Sequence, residues 1–313
     1  MHAKATQHAK TTRPARTTVT PGSRGARATR ATGGGSAAGH PVSTGSVTSA
    51  DGTRIAFDLR GDGPPVILVD GALCHRAFGP ATPLAQRLAA DFTVLSYDRR
   101  GRGGSGDEPP YAADREIEDL NALVAHLGGS ASVYGNSSGA ALALEAARQG
   151  APIRALALYE APFLVDDGHP RVTDETLARL DRLVAADRRG DAVTLFLRTV
   201  GTPGFAIAVM RLLPVWRKLK AVAHTLPYDI GLIAADHQGR PFAAGRWDSV
   251  TMPVLVAAGG KSPEWMRTAM RAVAEALPNA RLLTVEGQTH MLNPDAIAPV
   301  LTEFFRPERP EGA

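Results

Sequence analysis

The run Gly135-Asn136-Ser137-Ser138-Gly139 sits between a strand-like segment, Ala131-Ser132-Val133-Tyr134, and a helix-forming one, AALALEAAR. A sharp turn from strand into helix lifts the central hydroxyl clear of the backbone. It also crowds the positions two before and two after, where only Gly or a very small residue fits. The helix start beneath Ser137 adds a favourable potential for developing negative charge. Ser137 is therefore placed to attack a carbonyl; the alternative reading is a helix cap. A serine hydroxyl is a weak nucleophile and needs a base within hydrogen-bond reach, for which imidazole is best matched near neutral pH. Of nine histidines, three fall in the first 46 residues, and His290 lies between the last strand-like run and the last helix.

The elements that must hold these groups alternate along the chain. Short β-branched runs bounded by breakers occupy 65–70 (PVILVD), 92–97 (FTVLSY), 131–135, 153–160, 253–258 and 281–285, the pattern of strands buried on both faces. Ahead of them, 47–50 and 53–60 flank Asp51-Gly52 and predict a hairpin with a two-residue turn. Residues 113–127 align Ile117, Leu120, Val124 and Leu127 on one stripe. The last helix aligns Ile297, Val300, Leu301 and Phe304, with Asn293 as N-cap and Pro294 at the first helical position. Alternating strands and helices predict an α/β fold with a mostly parallel, doubly wound sheet. Residues 165–245 break the alternation. They carry helical stripes such as Leu177, Leu180, Leu183 and Val184 but no convincing strand, and read as an inserted helical lid.

With these elements in place, the chain resembles the α/β-hydrolase superfamily over residues 47–307, in particular its lid-bearing, esterase-like members. Three ordered segments carry the resemblance: Gly135–Gly139; Tyr97-Asp98-Arg99-Arg100-Gly101-Arg102-Gly103-Gly104-Ser105, which looks like the family's D-x-R-G-x-G-x-S; and Gly287-Gln288-Thr289-His290, which looks like the loop bearing its histidine. The family's oxyanion loop, usually His-Gly-x, is here Asp70-Gly71-Ala72. The resemblance implies an oxyanion hole made of the main-chain N–H groups of Ala72 and Ser138. Because the donors are main-chain atoms, Asp70 is tolerable there if its carboxylate turns away or is paired.

The acid departs from the family pattern. Where the seventh strand usually ends in Gly-x-x-Asp, this chain has Gly259-Gly260-Lys261-Ser262. Ser262 reads as a helix N-cap ahead of Pro263, and a neutral hydroxyl cannot stabilise an imidazolium as a carboxylate does. The preceding strand ends in Tyr159-Glu160. Parallel neighbours end about 5 Å apart, so a carboxylate moved across by one strand still reaches the same imidazole, and the longer Glu helps. Glu160 also looks like the acid of certain haloalkane dehalogenases. The expected triad is Ser137, His290 and Glu160, with Glu264 as the alternative acid.

Composition narrows the functions. One cysteine, Cys74, precludes an internal disulfide or a multi-thiolate metal site, and reads as a buried small hydrophobe rather than a nucleophile. The remaining histidines show no metal-binding spacing, so neither metal nor cofactor is expected. Residues 1–50 hold seven basic side chains and no acid, leaving 28 basic against 31 acidic beyond them, which argues against a nucleic-acid groove in the folded part. No apolar run is long enough to span a membrane. Residues 1–46, poor in large apolar side chains, are expected to form a disordered basic tail, with 308–313 as a C-terminal tail. With neither an apolar leader segment nor an Arg-Arg pair in residues 1–46, a cytoplasmic location is expected. The expected activity is hydrolysis of a small ester or related carbonyl compound through an acyl-enzyme. A cofactor-free perhydrolase, a C–C bond hydrolase and a non-catalytic small-ligand binder are the alternatives. Dehalogenase and epoxide hydrolase chemistry would need a carboxylate where Ser137 stands. Phe196, Phe205, Met210, Trp216 and Phe163 would line the pocket or fill the lid core.

Overall fold

A computed structural model of the chain describes residues 41–306. The sheet has eight strands: β1 (Val42–Thr48), β2 (Arg54–Arg60), β3 (Pro65–Val69), β4 (Thr93–Tyr97), β5 (Ala131–Asn136), β6 (Ile153–Tyr159), β7 (Val254–Gly259) and β8 (Ala280–Val285). Their spatial order is β1-β2-β4-β3-β5-β6-β7-β8. The β1–β2 and β2–β4 pairs are antiparallel and all later pairs parallel. The central strands are continuous apolar runs because both faces are covered. Val66, Leu68, Val94 and Tyr134 join α1 (Ala81–Leu88) and α10 (Pro294–Phe305) on one side, while Ile67, Leu95 and Val133 join α2 (Ala113–His126) and α3 (Ser138–Arg148) on the other. α9 (Glu264–Ala276) connects β7 to β8. The α10 start follows its sequence signals: the Asn293 side chain accepts from the Asp295 N–H, and Pro294 opens the helix.

The sheet begins earlier than the sequence indicates. β1 starts at Val42, inside the segment expected to be a tail through residue 46, and pairs with β2 from Val42↔Arg60 to Thr48↔Arg54. Val-Ser-Thr-Gly-Ser buries little, so this edge strand is held by its backbone ladder and by the Thr44 hydroxyl donating to Asp58 (2.9 Å), neither of which leaves an apolar signature. The rest of the expected N-terminal tail, and residues 308–313, lie outside the described residues. The hairpin turn is also longer than expected. Ser49 N–H donates to the Thr53 carbonyl (2.8 Å) across Ala50-Asp51-Gly52, and of these three residues only Gly52 (φ 88°) has a positive φ. This is the three-residue loop with a glycine in the left-handed region.

Between β6 and β7 run α4 (Asp174–Ala185), α5 (Arg189–Thr199), α6 (Gly204–Met210), α7 (Val215–Ala221) and α8 (Leu226–Ala234). α8 packs on α3, the helix that follows Ser137. No described helix is long and apolar enough to cross a membrane.

Candidate active site

Ser137 occupies the turn between β5 and α3 with φ 56° and ψ −127°, a conformation that L-residues rarely adopt. Close approach explains the flanking glycines. A Cβ on Gly139 would stand 2.3 Å from the Val69 carbonyl oxygen, and one on Gly135 would stand 2.6 Å from Ala140 Cα. Gly71, on the loop after β3, abuts the serine itself: a Cβ there would meet Ser137 Cβ at 2.9 Å. Among the described residues four non-glycines have positive φ, and three of them, Leu73, Ser137 and Glu160, lie on the loops that converge here. Such strain persists only where the surrounding structure imposes it.

Glu160 follows β6 and is completely buried. Its Oε1 accepts from the Gly259 N–H (2.7 Å) at the end of β7, and its Oε2 lies 2.8 Å from His290 Nδ1. A carboxylate there accepts the Nδ1 proton, which leaves Nε2 as the basic nitrogen. His290 retains about a third of its exposure. The structure thus unites Glu160 with His290 across β7. The Ser137 N–H donates to the Tyr159 carbonyl (2.9 Å), tying the serine turn to the residue before Glu160. Glu264, the alternative acid, is exposed on α9, where it pairs with Arg267 and with Arg271 (2.6 Å) and has no contact with His290. Ser262 does not cap α9, because Pro263 holds the N-cap position. The Ser262 hydroxyl is turned inward and buried without a hydrogen-bond partner, beside Gly259.

Ala72 and Ser138, whose N–H groups are the expected oxyanion donors, border a buried ionic cluster. Arg99 binds Glu116 through Nε (2.6 Å) and Nη2 (2.7 Å), and its Nη1 donates to Asp229 (2.8 Å), the Ser138 hydroxyl (3.1 Å) and the Asp70 carbonyl (3.3 Å). Arg102 donates to both oxygens of Asp229 (2.8 and 2.7 Å), to the Gly71 carbonyl (2.7 Å) and to the Thr225 hydroxyl (3.1 Å). Burial acts to raise the Asp229 carboxyl, but the two guanidiniums prevail and hold it below its ordinary range. Removing one member of such a set leaves an uncompensated buried charge, at a cost of about 3–5 kcal/mol.

The Asp70 side chain is buried and among the described residues forms no ion pair with a cation. Its Oδ2 has no hydrogen-bond partner among them, and burial, opposed by the nearby Ala81 N–H and by Arg102 and Arg99, pushes this carboxyl up to about 7. Burial, reinforced by the charge of Asp70, pushes the Cys74 thiol up to about 12, so it is not a ready thiolate. Among the described residues no three His, Cys, Asp or Glu side chains converge as a metal site requires.

Of the five side chains expected to line the pocket or fill the lid core, Phe163 and Trp216 belong to the buried core and Phe196 and Met210 pack against it. Phe163 packs against Trp247 and Phe242, Phe205 is 77% exposed, and Trp216 borders a separate polar cleft of about 400 Å³ beside Arg188 and Arg211. Sequence reasoning also missed Arg99, Arg102 and Asp229. Three arginines within four positions directly after a buried strand were the available signal, since such cations need buried partners.

Fold and site together define the α/β-hydrolase class. The chain belongs to the alpha/beta hydrolase family, whose pattern matches residues 66–301. It is similar to an alpha/beta hydrolase from Sphaerobacter thermophilus, 51% identical, covering 84% of this chain and 100% of that one, with a TM-score of 0.78. It is 29% identical to a pimeloyl-[acyl-carrier protein] methyl ester esterase of Xanthomonas campestris over 258 residues, covering 79% of this chain and 97% of the relative. Over a shorter stretch of 123 residues, 36% of this chain and 44% of the relative, it is 38% identical to an N-formylmaleamate deformylase of Pseudomonas putida. Esterase and deformylase relatives within a hydrolase family support hydrolysis as the class of reaction.

Proposed function

We propose that the protein is a serine hydrolase that cleaves a small carboxylic ester or related carbonyl substrate through an acyl-enzyme. Ser137 Oγ attacks the carbonyl carbon while His290 Nε2 takes the hydroxyl proton. Glu160 orients the imidazole and stabilises its cation. The tetrahedral oxyanion is met by the N–H groups of Ala72 and Ser138. Collapse breaks the bond to the leaving group, which receives the proton from His290. Water then repeats the sequence on the acyl carbon, releasing the acid and restoring Ser137. The helical segment α4–α8 acts as the lid over this end of the sheet, and the substrate is a small molecule.

The observation that carries this reading is the 2.8 Å contact between His290 Nδ1 and the buried carboxylate of Glu160, itself fixed by the Gly259 N–H. A carboxylate so placed next to a partly exposed imidazole sets up a base rather than a strand-end ion pair. The methyl ester esterase relative supports an ester as the substrate class. The test is labelling with a fluorophosphonate probe alongside hydrolysis of p-nitrophenyl esters of increasing chain length. Wild type is expected to label at one site and turn over the short esters, and Ser137→Ala to do neither. Equal labelling of the two proteins, or no labelling of wild type, overturns the proposal.

A further inference from the structure

Asp229 lies in the first turn of α8, where the positive end of the helix favours an anion. It is 1% exposed, and it reaches the serine turn directly and the loop after β3 through Arg99 and Arg102. One of its oxygens accepts from the Ser138 hydroxyl (2.7 Å) and from Arg99, and both accept from Arg102. Arg102 in turn donates to the carbonyl of Gly71 at 2.7 Å. A trans peptide is planar, so its C=O and N–H point in opposite directions. Anchoring the Gly71 carbonyl therefore aims the N–H of Ala72 the other way. The Ser138 hydroxyl, held by Asp229 and Arg99, likewise fixes the residue whose N–H is the second donor.

We propose that Asp229 is a positioning residue which, through Arg102 and the Ser138 hydroxyl, sets the direction of both oxyanion donors, so that the helical segment between β6 and β7 builds part of the catalytic electrostatics. The proposal rests on the assignment of Ala72 and Ser138 as those donors. Donors of this kind work because they are oriented before charge develops, and losing one outright lowers kcat by about 10²–10³. Tilting two without removing either is a smaller fault that falls on the transition state more than on substrate binding. The charges balance as drawn: Arg99 and Arg102 against Asp229 and Glu116, each at most 2% exposed. Neutralising Asp229 leaves the carbonyls of Asp70 and Gly71 held by a guanidinium pair in excess of its counter-charge.

The experiment compares wild type with Asp229→Asn and Ser138→Ala, with kcat expressed per site titrated by fluorophosphonate so that misfolded protein is not counted. Asp229→Asn is expected to lower kcat per site by roughly 10–100-fold with KM within about threefold, and to weaken binding of a boronic acid that forms a tetrahedral adduct by a similar factor. Ser138→Ala, which keeps the N–H and both ion pairs of Asp229, is expected to lower kcat per site by about fivefold. In the double variant the two effects should combine to less than their product, because they share one route. A merely structural role predicts fewer titratable sites with wild-type kcat at each, and that result overturns the proposal. Should Asp229→Asn not fold, wild-type kcat per site in Ser138→Ala overturns it and the fivefold loss supports it. Absence of labelling in wild type would instead refute the serine hydrolase reading itself.

Discussion

The Tyr159 hydroxyl donates to the main-chain carbonyl of Thr289 at 2.7 Å. Tyr159 precedes Glu160 and Thr289 precedes His290, so the imidazole is tied to the end of β6 twice, once through its own Nδ1 and once through its backbone. The Tyr159 carbonyl also accepts the Ser137 N–H. The serine, the acid and the histidine loop therefore hang on two consecutive residues at one strand end. Tyr159 is fully buried, and burial raises its phenol well above the ordinary value, so the hydroxyl stays protonated and available as a donor at any working pH.

Removing that hydroxyl should loosen the histidine loop without touching Glu160. Tyr159→Phe leaves the Thr289 carbonyl short of one donor and is expected to cost about 1 kcal/mol in urea unfolding. Because His290 then samples positions off the line to Ser137, kcat should fall by on the order of tenfold with KM nearly unchanged. A variant with full kcat would show that the Glu160 contact alone orients the ring.

Glu160→Gln keeps an oxygen for the Gly259 N–H but removes the charge opposite the imidazolium, and turnover is expected to drop by up to roughly 10⁴. Glu264→Gln breaks exposed pairs with Arg267 and Arg271 and should leave turnover within about twofold. Steady-state kinetics of the two purified variants on one ester decides between them. Loss of activity in Glu264→Gln alone would return the acid to α9.

Much of the frame was legible because burial writes itself into a sequence. The β-branched runs of β3 to β7, the Ile117-Leu120-Val124 stripe and the Asn293-Pro294 helix start all became the elements they indicated, since each signals through apolar spacing or a local cap. Glu160 was legible as a carboxylate at a strand end. The polar edge strand Val42–Thr48 was not, because its stability comes from a backbone ladder that any residue can join. The partnership of Asp229 with Arg99 and Arg102 was equally hidden. It joins positions about 130 apart, and a charge whose partner lies so far along the chain has the look of a surface residue. Ser262 misled for a related reason. Its local context reads as a cap, yet tertiary packing turned its hydroxyl under Gly259.

Asp70 predicts a pH dependence. Burial, first, raises its carboxyl from 3.8 to about 7, against the opposing effects of the Ala81 N–H, Arg102 and Arg99. Between those two values the unfolded chain has released this proton and the folded one still holds it, so folding stability declines as pH rises from about 4 to about 7 and then levels off. Asp70→Asn removes this contribution. The variant is expected to match wild type near pH 4 and to gain on it steadily up to pH 7, by an amount on the order of 1–4 kcal/mol. Urea unfolding of both proteins across that range measures the difference. A gap independent of pH would mean that Asp70 is ionised in the folded protein throughout.

The displaced acid can be tested by moving it back. Ser262 occupies the position where the related pattern carries its carboxylate. Its buried, unpartnered hydroxyl crowds Gly259, whose N–H holds Glu160. Ser262→Asp in the wild-type background places a second carboxylate beside a buried first, and like charges in one site cannot both ionise cheaply. That single variant is expected to lose stability and activity. Combined with Glu160→Gln the repulsion vanishes, and the new carboxylate approaches the same imidazole from the neighbouring strand end. The double variant should therefore turn over at least about tenfold faster than Glu160→Gln alone, while remaining slower than wild type because the Gly259 N–H that fixes the carboxylate at position 160 stays with the new Gln. A double variant as slow as Glu160→Gln would show that only the end of β6 can present a carboxylate to His290 in this chain.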